Sequence, residues 1–118
     1  MIDEALRDAR GTGEDVETVV LAGADGVVVA TAGTADGLAA DALAAAFADL
    51  FQKVGSAHRD AGLSAPREMT ATAAERRVVV RAVTDEYLLL AVLGEKGILG
   101  QARHALGKAA LVLEPELA

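Results

Sequence analysis

The sequence predicts a small α/β domain in which helices cover both sides of a sheet, with elements in the order α-β-β-α-β-β-β-α. Three observations carry that prediction. Short β-branched or aliphatic runs are joined by links of two to four residues, which suits hairpins. Two longer stretches repeat their apolar residues at steps of three and four. Several strands are apolar at consecutive positions, as in Val27-Val28-Val29, Val78-Val79-Val80 and Leu88-Leu89-Leu90. Such strands bury both faces, so each face needs a cover of helix. A chain of 118 residues fits one domain spanning 1–118.

Taken in order, Ile2 to Arg10 reads as a short helix with Asp3 as a capping candidate and Gly11-Thr12-Gly13 closing it. Val16 to Ala22 and Val27 to Thr31 are strands around Gly23-Ala24-Asp25-Gly26, where Asp-Gly provides the positive-φ position a tight turn needs. Gly33-Thr34-Ala35-Asp36 forms a loop with capping residues. Gly37 to about Arg59 is the longest helix, and Leu43, Ala46, Phe47, Leu50 and Val54 form its apolar stripe. Ala61-Gly62 ends it, and Pro66 marks the turn into Glu68 to Ala73. Ala74-Glu75 and Thr84-Asp85-Glu86 then join this strand to Arg76 to Val83 and Tyr87 to Leu93, so the three run antiparallel. Ile98 to about Leu113 is the last helix, closed by Pro115.

Composition removes several functional classes. Hydrophobic residues make up 53% and aromatics 3%, so the core is aliphatic and there is no base-stacking platform. A net charge of −7 repels phosphate backbones and anionic bilayers, which argues against a nucleic-acid partner. The absence of cysteine excludes disulfides, thiolate metal sites and cysteine nucleophiles. His58 and His104 lack ligand spacing. The acidic N-terminus is unlike a signal peptide, and the longest apolar run, Leu88 to Leu93, suits a strand rather than membrane insertion. A cytoplasmic location is the expectation. The absence of Asn and the preference for Arg over Lys suggest a GC-rich, bacterial coding sequence.

No catalytic set emerges. Gly100 to Gly107-Lys108 has six residues between its glycines and Ala109 where a phosphate-binding loop has Ser or Thr, and it lies in a helical pattern. Ser56 and His58 stand two apart on a helix and point to different faces. The pairs Glu14-Asp15 and Asp85-Glu86 fall in turns, where solvation explains them. Arg77 and Arg81 share a strand face and read as charged, exposed positions. The expectation is a non-enzyme without cofactor or metal.

What remains is surface. At roughly 100° per residue, Ala44, Ala48 and Gly55 fall on a ridge beside the Leu43–Val54 stripe, where small residues let a second helix approach. The strand Glu68-Met69-Thr70-Ala71-Thr72-Ala73, polar at alternate positions, suits a sheet edge open to pairing.

The chain resembles the Roadblock (dynein light chain Roadblock-type) domain family over nearly its whole length. Val19 to Ala30 is similar to the family's first hairpin, Leu43 to Gly55 to its central helix and Tyr87 to Val92 to its penultimate strand. Gly97-Ile98-Leu99-Gly100-Gln101-Ala102-Arg103 is similar to the glycine–aliphatic–glycine–x–x–arginine opening of its last helix. Gln101-Ala102 departs from the bulkier aliphatics frequent there. The resemblance implies a profilin-like Roadblock fold, a five-stranded antiparallel sheet flanked by helices. It also implies a homodimer in which central helices pair and third strands join into a ten-stranded sheet.

On that basis Ala44, Ala48, Phe51, Gly55, Met69, Thr70, Ala71 and Thr72 are the candidate dimer interface. Asp41, Ala45, Gln52 and Ser56 are candidate contacts to a small Ras-like GTPase, which the protein would regulate or scaffold without catalysing. The competing expectation is a profilin-like or PAS-like domain sensing a small ligand, which requires a cavity with convergent polar groups.

Overall fold

A computed structural model describes residues 1–11, 15–33 and 39–118. Helix α1 spans Ile2–Arg10, with Asp3 and Glu4 in its first turn and Arg7 and Arg10 in its last, the placement that opposes the helix dipole. Gly11 ends it at φ +62°. Strands β1 (Val16–Gly23) and β2 (Val28–Ala32) follow, then α2 (Ala40–Asp60), β3 (Glu68–Thr72), β4 (Arg77–Ala82), β5 (Tyr87–Leu93) and α3 (Leu99–Leu117). The element order is the one predicted. The stretch around Gly37, where α2 is expected to begin, lies outside the described residues.

The strands form one antiparallel sheet in the order β2-β1-β5-β4-β3. The β1–β2 turn closes as its Asp-Gly suggested. Gly26 adopts φ +88°, its N–H donates to the Gly23 carbonyl at 2.9 Å, and Val27 N–H donates to Asp25 Oδ1 at 3.1 Å. Only glycine fits at 26 for a second reason: an added Cβ would lie 2.8 Å from the Cα of Ala45 on α2. The turn is thus pressed against the central helix.

Consecutive apolar strand residues divide between two cores. Leu21, Val79, Leu89, Ala91 and Leu93 face α1 and α3, where Leu6, Leu106 and Leu113 are deeply buried. Val20, Ala22, Val80, Leu88 and Leu90 face α2 and pack on Ala44, Ala48 and Phe51. The double-sided sheet is therefore present where Val78–Val80 and Leu88–Leu90 lie, with two helices on one face and one on the other, but the expectation fails for Val27-Val28-Val29, whose Val27 and Val29 are exposed on an edge strand.

Two further expectations are corrected. The stripe Leu43–Phe47–Leu50–Val54 does not centre on the sheet; Ala44, Ala48 and Phe51 do, Leu43 and Phe47 pack against that core only from its side, and Leu50 is 44% exposed. Small side chains let α2 sit close on the sheet, which swings the larger ones to the helix flank. Nor does Pro115 end α3, which continues to Leu117. Proline removes only one N–H bond, and it does so in the last turn, two residues before the helix ends.

Candidate interaction surfaces

Helix α2 has four sides, and each follows from its sequence. The sheet-facing ridge is Ala44, Ala48 and Phe51, with Gly55 half-buried beside it. Ala44 and Ala48 are thus shut off from a second helix: the expected role as interface residues is corrected, because the sheet of the same chain already occupies that ridge. One flank carries Asp41, Ala45, Gln52 and Ser56, all exposed. Gln52 Nε2 donates to the carbonyl of Ala24 at 2.6 Å, which fixes this flank beside the β1–β2 turn. Ser56 Oγ accepts from Arg59 Nη2 at 3.1 Å.

The opposite flank, turned away from that turn, carries Leu43, Phe47 and Val54, all half-buried, and exposed Leu50. The outer side is lined by exposed Ala42, Ala46 and Ala57. Lys53 and Asp49 pair there at 2.9 Å, and the Asp49 hydrogen bond, then its charge, raises the Lys53 ammonium above its ordinary value. Beside that pair an uncharged arc runs from Ala46 across Leu50 to Phe47.

Beneath that arc the sheet is incompletely covered. Helix α2 lies over β1 and β2, so Met69, Val78 and Ala82 at the other end of the same face stay half-buried. Met69 pairs with Val80 and Ala71 with Val78, which places Met69 and Ala71 on the α2 side of edge strand β3. Exposed Thr70 and Thr72 point to the other side. Sequence alone identifies β3 as an edge and separates both flanks of α2, but it exchanges the buried ridge for the exposed one. The signal that tells them apart is side-chain size: a helix lying tight on a sheet presents its smallest residues.

Arg76, Arg77, Arg81 and Arg103 are committed to ties within the fold. Glu68 on β3 accepts from Arg81 of β4, at 3.3 Å, and from Arg103 of α3. Arg77 donates to the Gly97 carbonyl before α3, and Arg76 pairs with Glu17 at 3.1 Å. These bonds join β3, β4 and the start of α3 into one clamp. His58 Nδ1 donates to the Ser64 carbonyl at 2.9 Å, a tie across the end of α2. Gly100, Gly107 and Lys108 all lie within α3, where the backbone cannot wrap a phosphate.

Clefts open at the surface of the described residues. One, of about 450 Å³, runs between α1 and α3. Another, of about 410 Å³, lies at the end of the sheet between the β1–β2 and β4–β5 turns. Among the described residues no group of three or more His, Asp or Glu side chains could hold a metal. No helix there is long and apolar enough to cross a membrane.

Known proteins share this arrangement. The Roadblock/LC7 domain model matches residues 2–93. Myxococcus xanthus MglB superposes with a TM-score of 0.88 at 17% identity, covering 98% of this chain and 94% of its own. The gliding protein MglB of Thermus thermophilus gives 0.86 at 19% identity, covering 99% and 90%. Acanthamoeba castellanii profilin II gives 0.66 at 26% identity, covering 95% and 94%. No curated protein sequence matches. With the family model spanning all five strands and both helices that precede the last, the chain belongs to the Roadblock/LC7 domain family.

Proposed function

We propose that the chain is a non-catalytic homodimer that regulates or scaffolds a small Ras-like GTPase. The observation that carries the dimer is the uncovered end of the α2 face, with Leu43, Phe47, Leu50 and Val54 turned towards it. A second α2 laid against that flank, with its β3 beside this β3, covers both the helix arc and the half-buried Met69, Val78 and Ala82. A standard interface of about 1,600 Å² in total is within reach of one helix flank and one strand on each copy. Family membership supports the same reading. The interface so drawn replaces Ala44, Ala48 and Phe51 with residues of the exposed flank, and it keeps Gly55, Met69, Thr70, Ala71 and Thr72.

The opposite flank, Asp41, Ala45, Gln52 and Ser56, remains open in such a dimer, and it is the surface proposed for the GTPase. The hydrogen bond from Gln52 to the β1–β2 turn holds that flank rigid, as a preorganised docking surface requires. Any effect on hydrolysis acts by positioning the GTPase's own groups, since phosphoryl transfer depends on placement and electrostatics.

The test is affinity capture of the native protein from its own cells, read for a bound small GTPase, alongside Ala45→Arg. The expected result is a GTPase recovered with the wild-type protein and lost with Ala45→Arg while the dimer persists. Recovery of equal GTPase with both proteins contradicts the assignment of this flank.

A further inference from the structure

The two edges of the sheet are built differently, and the difference points to a second binding surface. Edge strand β3 carries Glu68, engaged by two arginines. Edge strand β2 reads Val-Val-Ala-Thr-Ala and carries no charge. Exposed edges are ordinarily guarded by charge, because their free N–H and C=O groups invite another strand. Here β2 has no such charge, and large apolar side chains stand beside the edge instead: Val27 is 62% exposed and Val29 49%. The register shifts between Leu21 and Ala22, whose partners are Ala30 and Val28. Val29 is therefore the extra residue of a bulge, a feature that re-aims a side chain.

Val27 and Val29 form one wall of the 410 Å³ cleft at the turn end. Gly23, Ala24, Tyr87 and the acidic residues Asp25, Asp85 and Glu86 line the rest, and one Asp25 carboxylate oxygen accepts from the Val27 N–H. The Ala24 N–H donates to the Glu86 carbonyl at 2.7 Å, so the two turns are tied together and the cleft is fixed in shape. An aromatic ring, two valines and three acidic groups make a receptor for a long cationic side chain, whose stem packs on the valines and whose charge meets the carboxylates.

We propose that β2 and this cleft bind an extended, basic segment of a partner protein, which adds as a sixth strand and places an Arg or Lys side chain among Asp25, Asp85 and Glu86. An antiparallel addition runs its C-terminal end towards the β1–β2 turn, so the basic residues lie at the C-terminal end of the segment. Strand addition provides affinity through the backbone, and the cleft provides selectivity through charge. None of these residues belongs to the α2 surfaces proposed above, so the two proposals fail separately.

The probe is the blocked peptide acetyl-Thr-Val-Thr-Val-Thr-Arg-Arg-amide, titrated into the isotopically labelled full chain and followed by amide shifts. Saturable shifts centred on β2, Asp25 and Tyr87 are expected, with a dissociation constant of about 1 mM or tighter. Replacing both arginines of the peptide by glutamate, or using Val29→Lys or the double variant Asp85→Lys with Glu86→Lys, is expected to weaken binding about tenfold or more. Equal binding of the arginine and glutamate peptides, shifts confined to other elements, or no binding overturns the proposal. So does a change in oligomeric state on Val29→Lys, which would assign the edge to a second copy of the chain.

Discussion

On one face of the sheet α1 and α3 lie side by side and bury Leu6, Leu106 and Leu113 almost completely, while on the other α2 lies alone and leaves Met69, Val78 and Ala82 half-buried. The strands are apolar on consecutive positions over β1 and β5, but towards β3 the first face carries Glu68, Thr70, Thr72, Arg77 and Arg81 while the second stays aliphatic. Over its centre the first face is finished by the chain's own helices. The second has more apolar surface than one helix can cover, and the helix itself turns Leu50 and Phe47 towards the gap. That incomplete cover is the reason the dimer is proposed on this side.

The comparison can be broken first at the α2–sheet contact. Ala48→Glu places an unpaired carboxylate in a site that is 1% exposed, at a cost of about 3–5 kcal/mol. Circular dichroism and thermal melting are expected to show loss of folding, not a stable monomer. Native melting with a dissociated dimer would mean that Ala48 faces a second copy after all. Next in size, Leu106→Ala in the finished face leaves a cavity and costs about 2–5 kcal/mol in urea unfolding. Glu68→Ala, which strips the bridging acceptor from Arg81 and Arg103, is expected to cost about 1–2 kcal/mol by the same measurement. Leu50→Ala is the smallest, under about 1 kcal/mol, and its effect fades on dilution because it acts only through association.

Much of this fold is legible in the sequence. Asp25-Gly26 and the short links at Ala74-Glu75 and Thr84–Glu86 fix the hairpins locally, and the apolar triplets of β4 and β5 announce a sheet covered twice. The rotation of α2 is not legible from hydrophobic periodicity, because that measure favours large residues, whereas a closely seated helix turns alanine inwards. The step from Leu43–Val54 as core to Leu43–Val54 as half-buried flank is a rotation of roughly 90°, too small for composition to resolve in a helix rich in alanine.

Other parts depend on distance along the chain. Glu68 joins Arg103 across 35 positions and Arg77 reaches the Gly97 carbonyl, so residues that read as exposed charge are in fact ties between elements. The cleft at the turn end needs two hairpins brought together, and Asp85-Glu86 alone shows only a solvated turn. The Asp41–Ser56 flank is legible because regular helical spacing alone places those residues together.

The most direct test of the account is the solution mass of the full chain by sedimentation equilibrium, set beside Leu50→Asp. The account predicts a dimer for the wild-type chain and a monomer with unchanged circular dichroism for the variant. A wild-type monomer at every concentration, or a Leu50→Asp dimer as tight as wild type, would contradict it.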